Sequence, residues 1–283
     1  MSSQPLFRPS RVLREIRAGG VATCAKVSLS DPRAVEIAGL SGFSSVWICC
    51  EHTPNDWRNV EDMVRAAKLH DVDAIVRVSK GSYSDYLKPF ECDATGIMVP
   101  HVTTAEEARR IVDFCRFHPV GRRPLDGGSA DGAFGQIPTQ DYVSQANAER
   151  FLIFQIESPE AVANVDEIAA VEGYDFLLFG PGDYAHLIGK PGCIHDSEVK
   201  AARRRVEAAA RRCGKKCFGV ACEGSPAELR ERGYVVVCLA YDAIGLGGYF
   251  RKCLEEWSRR REGRTHDASW ENAATVYEQN STV

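Results

Sequence analysis

The chain has 283 residues and a 44% hydrophobic composition, enough to bury one large core. Its 35 basic and 39 acidic residues give a net charge of −4, and no basic block indicates binding to nucleic acid. No apolar run is long enough to span a bilayer, and the amino terminus lacks the apolar core of a signal peptide. We therefore expect a cytoplasmic globular protein that binds neither nucleic acid nor membrane.

The eleven cysteines are scattered along the chain, and several lie within apolar runs. We interpret them as buried thiols in a reducing compartment, which agrees with a cytoplasmic location. The adjacent pair Cys49-Cys50 lacks the spacing of a zinc site, and the sequence has no second pair of cysteines that could complete one.

In chain order, the first half alternates between helical and extended patterns after a loose tail over residues 1–9. Asp31 and Asn55 are expected to cap helices. The predicted helices cover residues 12–17, 31–40, 55–68, 83–90, 104–117 and 141–148. The predicted strands cover residues 20–29, 45–50, 74–78 and 96–102. A glycine-rich loop over residues 121–135 is long enough to be functional or disordered.

The second half continues the alternation and ends in a polar tail over about residues 262–283. Ser158 and Pro159 are expected to open a helix. The predicted strands cover residues 151–156, 176–179, 218–222 and 235–240, and the later helices cover residues 197–212, 225–232 and 243–260. Eight strands alternating with helices predict an α/β fold, a single (β/α)8 TIM barrel over residues 1–283.

The ends of four predicted strands carry polar residues that could form an active site. Glu157 and Asp183 each follow an apolar run, and parallel strands bring such residues to one edge of the sheet. Two acids there can share a hard divalent cation, and Gly180-Pro181-Gly182 lets the backbone approach a ligand. The alternative is that Glu157 caps a helix and Asp183 is a turn residue. His52 and Arg77 also lie at strand ends.

The segment FQIESPEAVANVDEIAAVEGYDFLLFGPGDYAHLIG, from Phe154, resembles the signature of the HpcH/HpaI metal-dependent class II pyruvate aldolases. The resemblance extends roughly over residues 14–256. In that family the Glu after Gln and the Asp of the GPxD turn bind the metal, which implies that Glu157 and Asp183 are the ligands. We expect Mg²⁺, with Mn²⁺ or Co²⁺ as alternatives.

The resemblance also implies roles for other residues. Arg77 matches the arginine beside the substrate keto oxygen, and His52 matches the general base. The partners would be a 2-oxo acid, either oxaloacetate or pyruvate, and an electrophilic acceptor. The residues expected to bind substrate are Gln155, Gly182, Asp183 and Tyr184.

Some positions depart from the family pattern. Cys49 stands where the family has an Asp thought to orient the His, so we expect His52 to be a weakened base. Because oxaloacetate decarboxylation forms an enolate without removing a proton, this departure favours decarboxylation followed by addition to an acceptor. The departures resemble the macrophomate synthase branch, whose acceptor is a 2-pyrone. In that interpretation Tyr142 and the loop over residues 121–135 shape the pyrone pocket.

Three alternatives remain open. An ordinary 2-keto-3-deoxy sugar-acid or 4-hydroxy-2-oxo acid aldolase would use the same metal site. A Schiff-base aldolase would use Lys26 or Lys80, and a non-catalytic barrel would serve as a binding protein.

The resemblance implies a homo-oligomer, a hexamer built as a trimer of dimers, in which the C-terminal helix is exchanged between subunits. The last helix has apolar residues that could form the contact or could cover its own barrel. These residues are Leu246, Phe250, Cys253, Leu254 and Trp257.

Overall fold

A computed structural model of the chain describes residues 7–261. Over these residues eight parallel strands form a closed barrel in chain order, with β8 hydrogen-bonded to β1. The strands are β1 Ala22–Val27, β2 Ser45–Cys49, β3 Asp73–Arg77, β4 Gly96–Val99, β5 Phe151–Ile156, β6 Phe176–Phe179, β7 Lys216–Val220 and β8 Tyr234–Tyr241. The predicted (β/α)8 barrel is therefore confirmed.

Helices connect successive strands and cover the barrel. They are α1 Arg11–Arg17, α2 Pro32–Leu40, α3 Trp57–Leu69, α4 Tyr83–Glu91, α5 Ala105–Cys115, α6 Thr139–Glu149, α7 Pro159–Ala163, α8 Val165–Ala169, α9 Pro181–Leu187, α10 Ser197–Arg212 and α11 Pro226–Glu231. A short 3-10 segment, Ala130–Gly135, lies within the glycine-rich loop. No helix within residues 7–261 is long and apolar enough to cross a membrane.

Local capping explains where several helices begin. Asp31 and Ser158 accept hydrogen bonds from backbone N–H groups of the first turns of α2 and α7, as predicted. The predicted cap at Asn55 is wrong, because Asp56 accepts from the backbone of Asn59 and starts α3. The helix predicted after Ser158 is divided into α7 and α8 at Asn164.

The expectation of a loose tail over residues 1–9 is wrong for its last residues, and residues 1–6 lie outside the described part. Phe7 is only 5% exposed. Asp73, fully buried in β3, accepts hydrogen bonds from the Arg8 guanidinium at 3.0 Å and from the Ser10 hydroxyl at 2.5 Å. A buried carboxylate requires such donors, so this contact fastens the amino-terminal segment to the barrel.

The barrel interior is filled by alternate residues of the strands, as expected when every strand is buried on both faces. Trp47 crosses the interior and meets Phe218 of β7 edge-on, with ring centroids 6.2 Å apart. The polar side chains Lys26, Arg77 and Gln155 lie near the carboxyl ends of β1, β3 and β5. The interior therefore has an apolar middle and a polar carboxyl edge.

The chain divides into two compact units, one ending at Asp242 and the other beginning at Ala243. The barrel belongs to the first unit. Of the second, the structure describes most of one long helix, α12 Asp242–Arg261. Its exposed apolar side chains are Ile244, Leu246, Tyr249, Phe250, Leu254 and Trp257. The predicted tail over residues 262–283 lies outside the described part.

Candidate active site

Glu157 follows β5 and is deeply buried, with 1% of its side chain exposed. Its Oε1 atom accepts a hydrogen bond from the backbone N–H of His101 at 2.8 Å. Its Oε2 atom accepts from the amide Nε2 of Gln155. The side chain is thus held in one orientation at the carboxyl edge of the barrel.

The turn after β6 lies against Glu157 and leads to a second carboxylate. A Cβ atom on Gly180 would lie only 2.6 Å from Oε2 of Glu157, so a glycine is needed for this close approach. Asp183 follows in the first turn of α9. The pKa of Glu157 is raised to about 7, chiefly by burial; His101 opposes this rise through its charge and its backbone hydrogen bond, and the charges of Asp183 and Glu51 add to it.

These residues fit a hard divalent cation. Two carboxylates repel each other in a buried site, and a cation between them removes that cost. The Oε1 atom of Gln155 is buried without a partner among the described residues, which leaves a further oxygen in the same pocket. Residues 7–261 contain no ready group of three or more His, Cys, Asp or Glu ligands. The remaining ligands of an ion would therefore be water and substrate oxygens, as Mg²⁺ commonly has.

Arg77, the last residue of β3, is buried and has two polar partners and one aromatic neighbour. Its Nη1 atom lies 3.0 Å from Oε2 of Glu51, and its Nη2 atom donates to the thiol of Cys49 at 3.0 Å. Its guanidinium lies 4.7 Å from the ring centroid of Trp47. This charge is thus fixed at the same edge as Glu157.

His52 lies in the loop after β2 with 60% of its side chain exposed. Its Nε2 atom is 3.6 Å from Oε2 of Glu51, so a carboxylate lies beside the ring. Among the described residues, the thiol of Cys49 is hydrogen-bonded to the backbone N–H of His52, at 3.4 Å, and makes no hydrogen bond to its imidazole. The replacement of the family's Asp by Cys49 therefore changes the immediate environment of Arg77. It does not leave His52 without a carboxylate neighbour, because Glu51 lies beside the ring, so the prediction of a weakened base is not supported.

His101, two residues after the end of β4, is a site residue that the sequence patterns did not predict. Its Nδ1 atom is 3.3 Å from Oε1 of Glu157, and its Nε2 atom is 3.4 Å from Oε1 of Glu51. Its φ angle of 52° is in the left-handed region, which is rare outside glycine and clusters at functional sites. The signal that selected His52, a histidine after a strand, was present here, but the predicted strand extended too far and hid it.

The structure brings most predicted site residues together. Gln155 touches Glu157 as described. Gly182 is exposed, with no atom within 4 Å of a Cβ built on it. Tyr184 is buried against Phe179, with ring centroids 5.4 Å apart, so its ring packs in the core.

Tyr142 lies in a different environment. Its hydroxyl donates to Asp131 at 2.6 Å, and its ring packs edge-on against Phe117. Phe117 is near the amino end of β5, because the preceding Arg116 donates to the carbonyl of Arg150. Within residues 7–261 the contacts of Tyr142 thus lie near the amino end of the barrel, whereas Glu157 and Asp183 lie at the carboxyl end.

The loop over residues 121–135 belongs to the same cluster as Tyr142. Arg123 and Asp131 form a buried ion pair at 2.7 Å, each with 2% of its side chain exposed. The guanidinium of Arg123 also lies 4.6 Å from the ring centroid of Phe117. These contacts fold the loop onto the outer layer, and they do not support the expectation that it shapes a pocket.

The family model for HpcH/HpaI aldolase/citrate lyase matches residues 26–245. The chain belongs to this family. It is accordingly a carbon–carbon lyase. The 5-keto-4-deoxy-D-glucarate aldolase of Citrobacter koseri is 30% identical over 257 residues, covering 90% of this chain and 97% of that protein.

Two further comparisons concern the branch of the family. The hydroxypyruvate/pyruvate aldolase of Roseobacter denitrificans is 36% identical over 177 residues, which are 62% of this chain and 68% of that one. The crystal structure of macrophomate synthase matches with a TM-score of 0.78 at 27% identity, covering 92% of this chain and 93% of that one. The sequence relatives therefore favour the aldolase alternative over the macrophomate synthase-like interpretation.

Proposed function

We propose that this chain is a divalent-metal-dependent aldolase that cleaves 4-hydroxy-2-oxo acids and releases pyruvate. The observation that carries the proposal is that Glu157, Asp183 and Arg77 all lie at the carboxyl edge of the barrel, after β5, after β6 and at the end of β3. Mg²⁺ is the proposed ion, with Mn²⁺ and Co²⁺ as alternatives. When bound by the two carboxylates, it would supply Lewis-acid polarisation of a substrate carbonyl.

Arg77 would stabilise the negative charge that develops on the keto oxygen as the C–C bond breaks. A guanidinium remains cationic at any working pH, and burial makes its field stronger than in water. Glu51 and Cys49 hold the group on two sides. Such a fixed charge needs no reorganisation during the reaction, which is the condition for electrostatic catalysis.

His52 would remove the proton from the C4 hydroxyl group during cleavage. Its large exposed fraction leaves the imidazole accessible to substrate, and Glu51 can stabilise the imidazolium that forms. Gln155 would hold Glu157 in place and offer its free oxygen to a ligand in the pocket. Gly182 would let substrate approach the backbone at the start of α9, beside Asp183.

Oxaloacetate decarboxylation is the second candidate, supported by the similarity to macrophomate synthase. It requires the same charges near the keto oxygen but no base. The carboxylate neighbour of His52 weakens the physical argument for it, because a base with such a neighbour is suited to aldol chemistry. The two candidates differ in the partner of the enolate, which is an aldehyde for the aldolase and a 2-pyrone for the macrophomate synthase-like reaction.

A direct assay tests the proposal. Purified protein with Mg²⁺ should release pyruvate from 5-keto-4-deoxy-D-glucarate, detected with lactate dehydrogenase, faster than it decarboxylates oxaloacetate. EDTA should stop the reaction, and borohydride with pyruvate should not inactivate the protein. Lys80 is a poor Schiff-base candidate, because its Nζ donates to the carbonyl of His101 at 2.8 Å and pairs with Glu107 at 2.7 Å. Faster turnover of oxaloacetate would favour the second candidate.

A further inference from the structure

A groove in the outer layer of the barrel lies between α10 and residues 221–232, the segment that follows β7 and contains α11. Its volume is about 380 Å³. One wall is formed by Lys200, Arg203, Arg204 and Glu207, whose three- and four-residue spacing puts them on one face of α10. None of the residues described at the candidate active site lines this groove. It is therefore a separate cavity, and its charges have no part in the proposed cleavage.

The groove is positively charged, although the chain as a whole carries a net charge of −4. Four cations and two carboxylates line it, a net charge of +2; they are Lys200, Arg203, Arg204 and Arg232, and Glu207 and Glu223. Glu207 pairs with Arg232 at 2.7 Å, and Glu223 lies 2.9 Å from His195 and 3.9 Å from Lys200. Within residues 7–261 neither Arg203 nor Arg204 forms an ion pair. Two cations of the groove thus have no anionic partner.

Arg203 gives the strongest indication of a missing anion, because it is buried. Only 9% of the residue is exposed. Its guanidinium donates to the carbonyls of Val220 at 3.2 Å and Ala221 at 3.4 Å, and to the sulfur of Cys222 at 3.0 Å. These neutral acceptors fix the direction of the guanidinium, but they do not neutralise its charge. An anion in the groove would therefore lower the cost of burying Arg203.

A phosphate group has the chemistry that this groove favours. A guanidinium fork matches two phosphate oxygens, and a lysine ammonium adds a point charge. Cavities that bind small molecules usually have volumes of roughly 300–1,000 Å³, so the groove can hold a whole phosphorylated molecule and not just its phosphate. Glu223, with 67% of its side chain exposed, offers carboxylate oxygens to hydroxyl groups next to that phosphate.

We propose that the groove between α10 and α11 binds a phosphate monoester of a small hydroxylated molecule. The phosphate lies at Lys200, Arg203 and Arg204, and the hydroxyl groups lie at Glu223. This site is distinct from the carboxyl edge of the barrel, so the inference does not depend on the proposed aldolase function.

The test uses glycerol 3-phosphate as the probe and glycerol as its uncharged control. Calorimetric titration of the wild-type protein should show saturable binding of the probe and none of glycerol. Lys200→Gln and Arg204→Gln should each weaken that binding roughly 10- to 100-fold, the usual effect of losing a hydrogen bond between charged groups. Both side chains are largely exposed, so their loss should leave the fold intact. Arg203 is not substituted, because its guanidinium also lies 5.7 Å from the ring centroid of buried Phe179.

Two controls separate the groove from other positive charges. Arg205→Gln removes the same charge from the next residue of α10, but Arg205 does not line the groove and donates to the carbonyls of Val162 and Ala163. It should leave the affinity for the probe unchanged. Pyruvate with Mg²⁺ should not displace the probe, because pyruvate would occupy the carboxyl edge. No saturable binding, equal losses in Arg204→Gln and Arg205→Gln, or complete displacement by pyruvate would overturn the inference.

Discussion

The Nη2 atom of Arg77 donates to the Sγ atom of Cys49 at 3.0 Å, inside the carboxyl edge of the barrel. Cys49 is fully buried, so water cannot replace its sulfur as the acceptor for Nη2 of Arg77. A cysteine sulfur is a weaker hydrogen-bond acceptor than a carboxylate, so it compensates the charge of Arg77 less. The contact between Cys49 and Arg77 should therefore affect both the stability of the protein and the catalytic rate.

We expect Cys49→Ala to destabilise the protein, because it leaves a buried charged donor without an acceptor. The cost should be about 1–3 kcal/mol in the free energy of unfolding, measured by urea denaturation. Cys49→Ser retains an acceptor and should lose less. Cys50→Ala is the neighbouring control, and equal stability of the two alanine variants would show that the contact with Arg77 contributes nothing.

Removal of the Arg77 charge should lower the rate of cleavage. Loss of one such electrostatic donor typically lowers kcat by roughly 10²–10³. Arg77→Leu should show this loss in steady-state pyruvate release, and Arg77→Lys should recover part of it. A change confined to KM would mean that Arg77 binds ground state and transition state equally.

Metal affinity should depend on pH through Glu157. Burial holds its pKa at about 7, so below that pH a proton competes with the ion. Mn²⁺ affinity, followed by electron paramagnetic resonance, should rise up to roughly tenfold per pH unit below pH 7 and level off above it. Glu157→Gln and Asp183→Asn should abolish binding. Metal affinity that is flat from pH 5 to pH 8 would contradict this account.

The raised pKa of Glu157 also predicts how the stability of the metal-free protein depends on pH. Folded Glu157 binds its proton more tightly than the unfolded chain, whose Glu pKa is 4.5. Stability therefore falls as pH rises from about 4.5 to about 7, by about 2–4 kcal/mol. The difference between wild type and Glu157→Gln isolates this contribution, since the other titrating groups are shared. No such difference across the window would mean that Glu157 is ionised throughout.

His52 should matter for proton transfer more than for decarboxylation. A histidine general base typically supplies roughly 10²–10⁴-fold. We expect His52→Ala to slow exchange of the pyruvate C3 protons strongly, followed by NMR in D₂O, and oxaloacetate decarboxylation only modestly. Both reactions share Arg77 and the two carboxylates, so their ratio isolates the base. Equal losses would assign His52 to substrate binding.

The apolar face of helix α12 is consistent with a homo-oligomer, and the resemblance to the family implies a hexamer. Leu254 and Trp257 are 67% and 60% exposed, and exposed apolar patches commonly mark interfaces. Leu254→Glu should shift the mass measured by light scattering to smaller species. Ser258→Glu, on the same helix, is the control. A wild-type monomer at micromolar concentration would count against the prediction.

Much of the fold was predictable because its signals are local. Parallel strands buried on both faces appear as short apolar runs, and caps such as Asp31 and Ser158 act through hydrogen bonds to residues two or three positions away. Glu157 and Asp183 could be assigned to one edge because every parallel strand of a barrel ends there. The amino-acid sequence by itself thus determined the barrel, its polar edge and the family.

The tertiary structure decided which side chains meet at that edge. Cys49 contacts Arg77 and not the His52 ring, and His101 lies between Glu51 and Glu157. These contacts join different strands and depend on register, on side-chain direction and on a left-handed backbone at His101, none of which a local pattern encodes. The environment of Tyr142 likewise depends on how a long loop folds back. Pairings across the barrel are non-local, so they are determined only when the sheet closes.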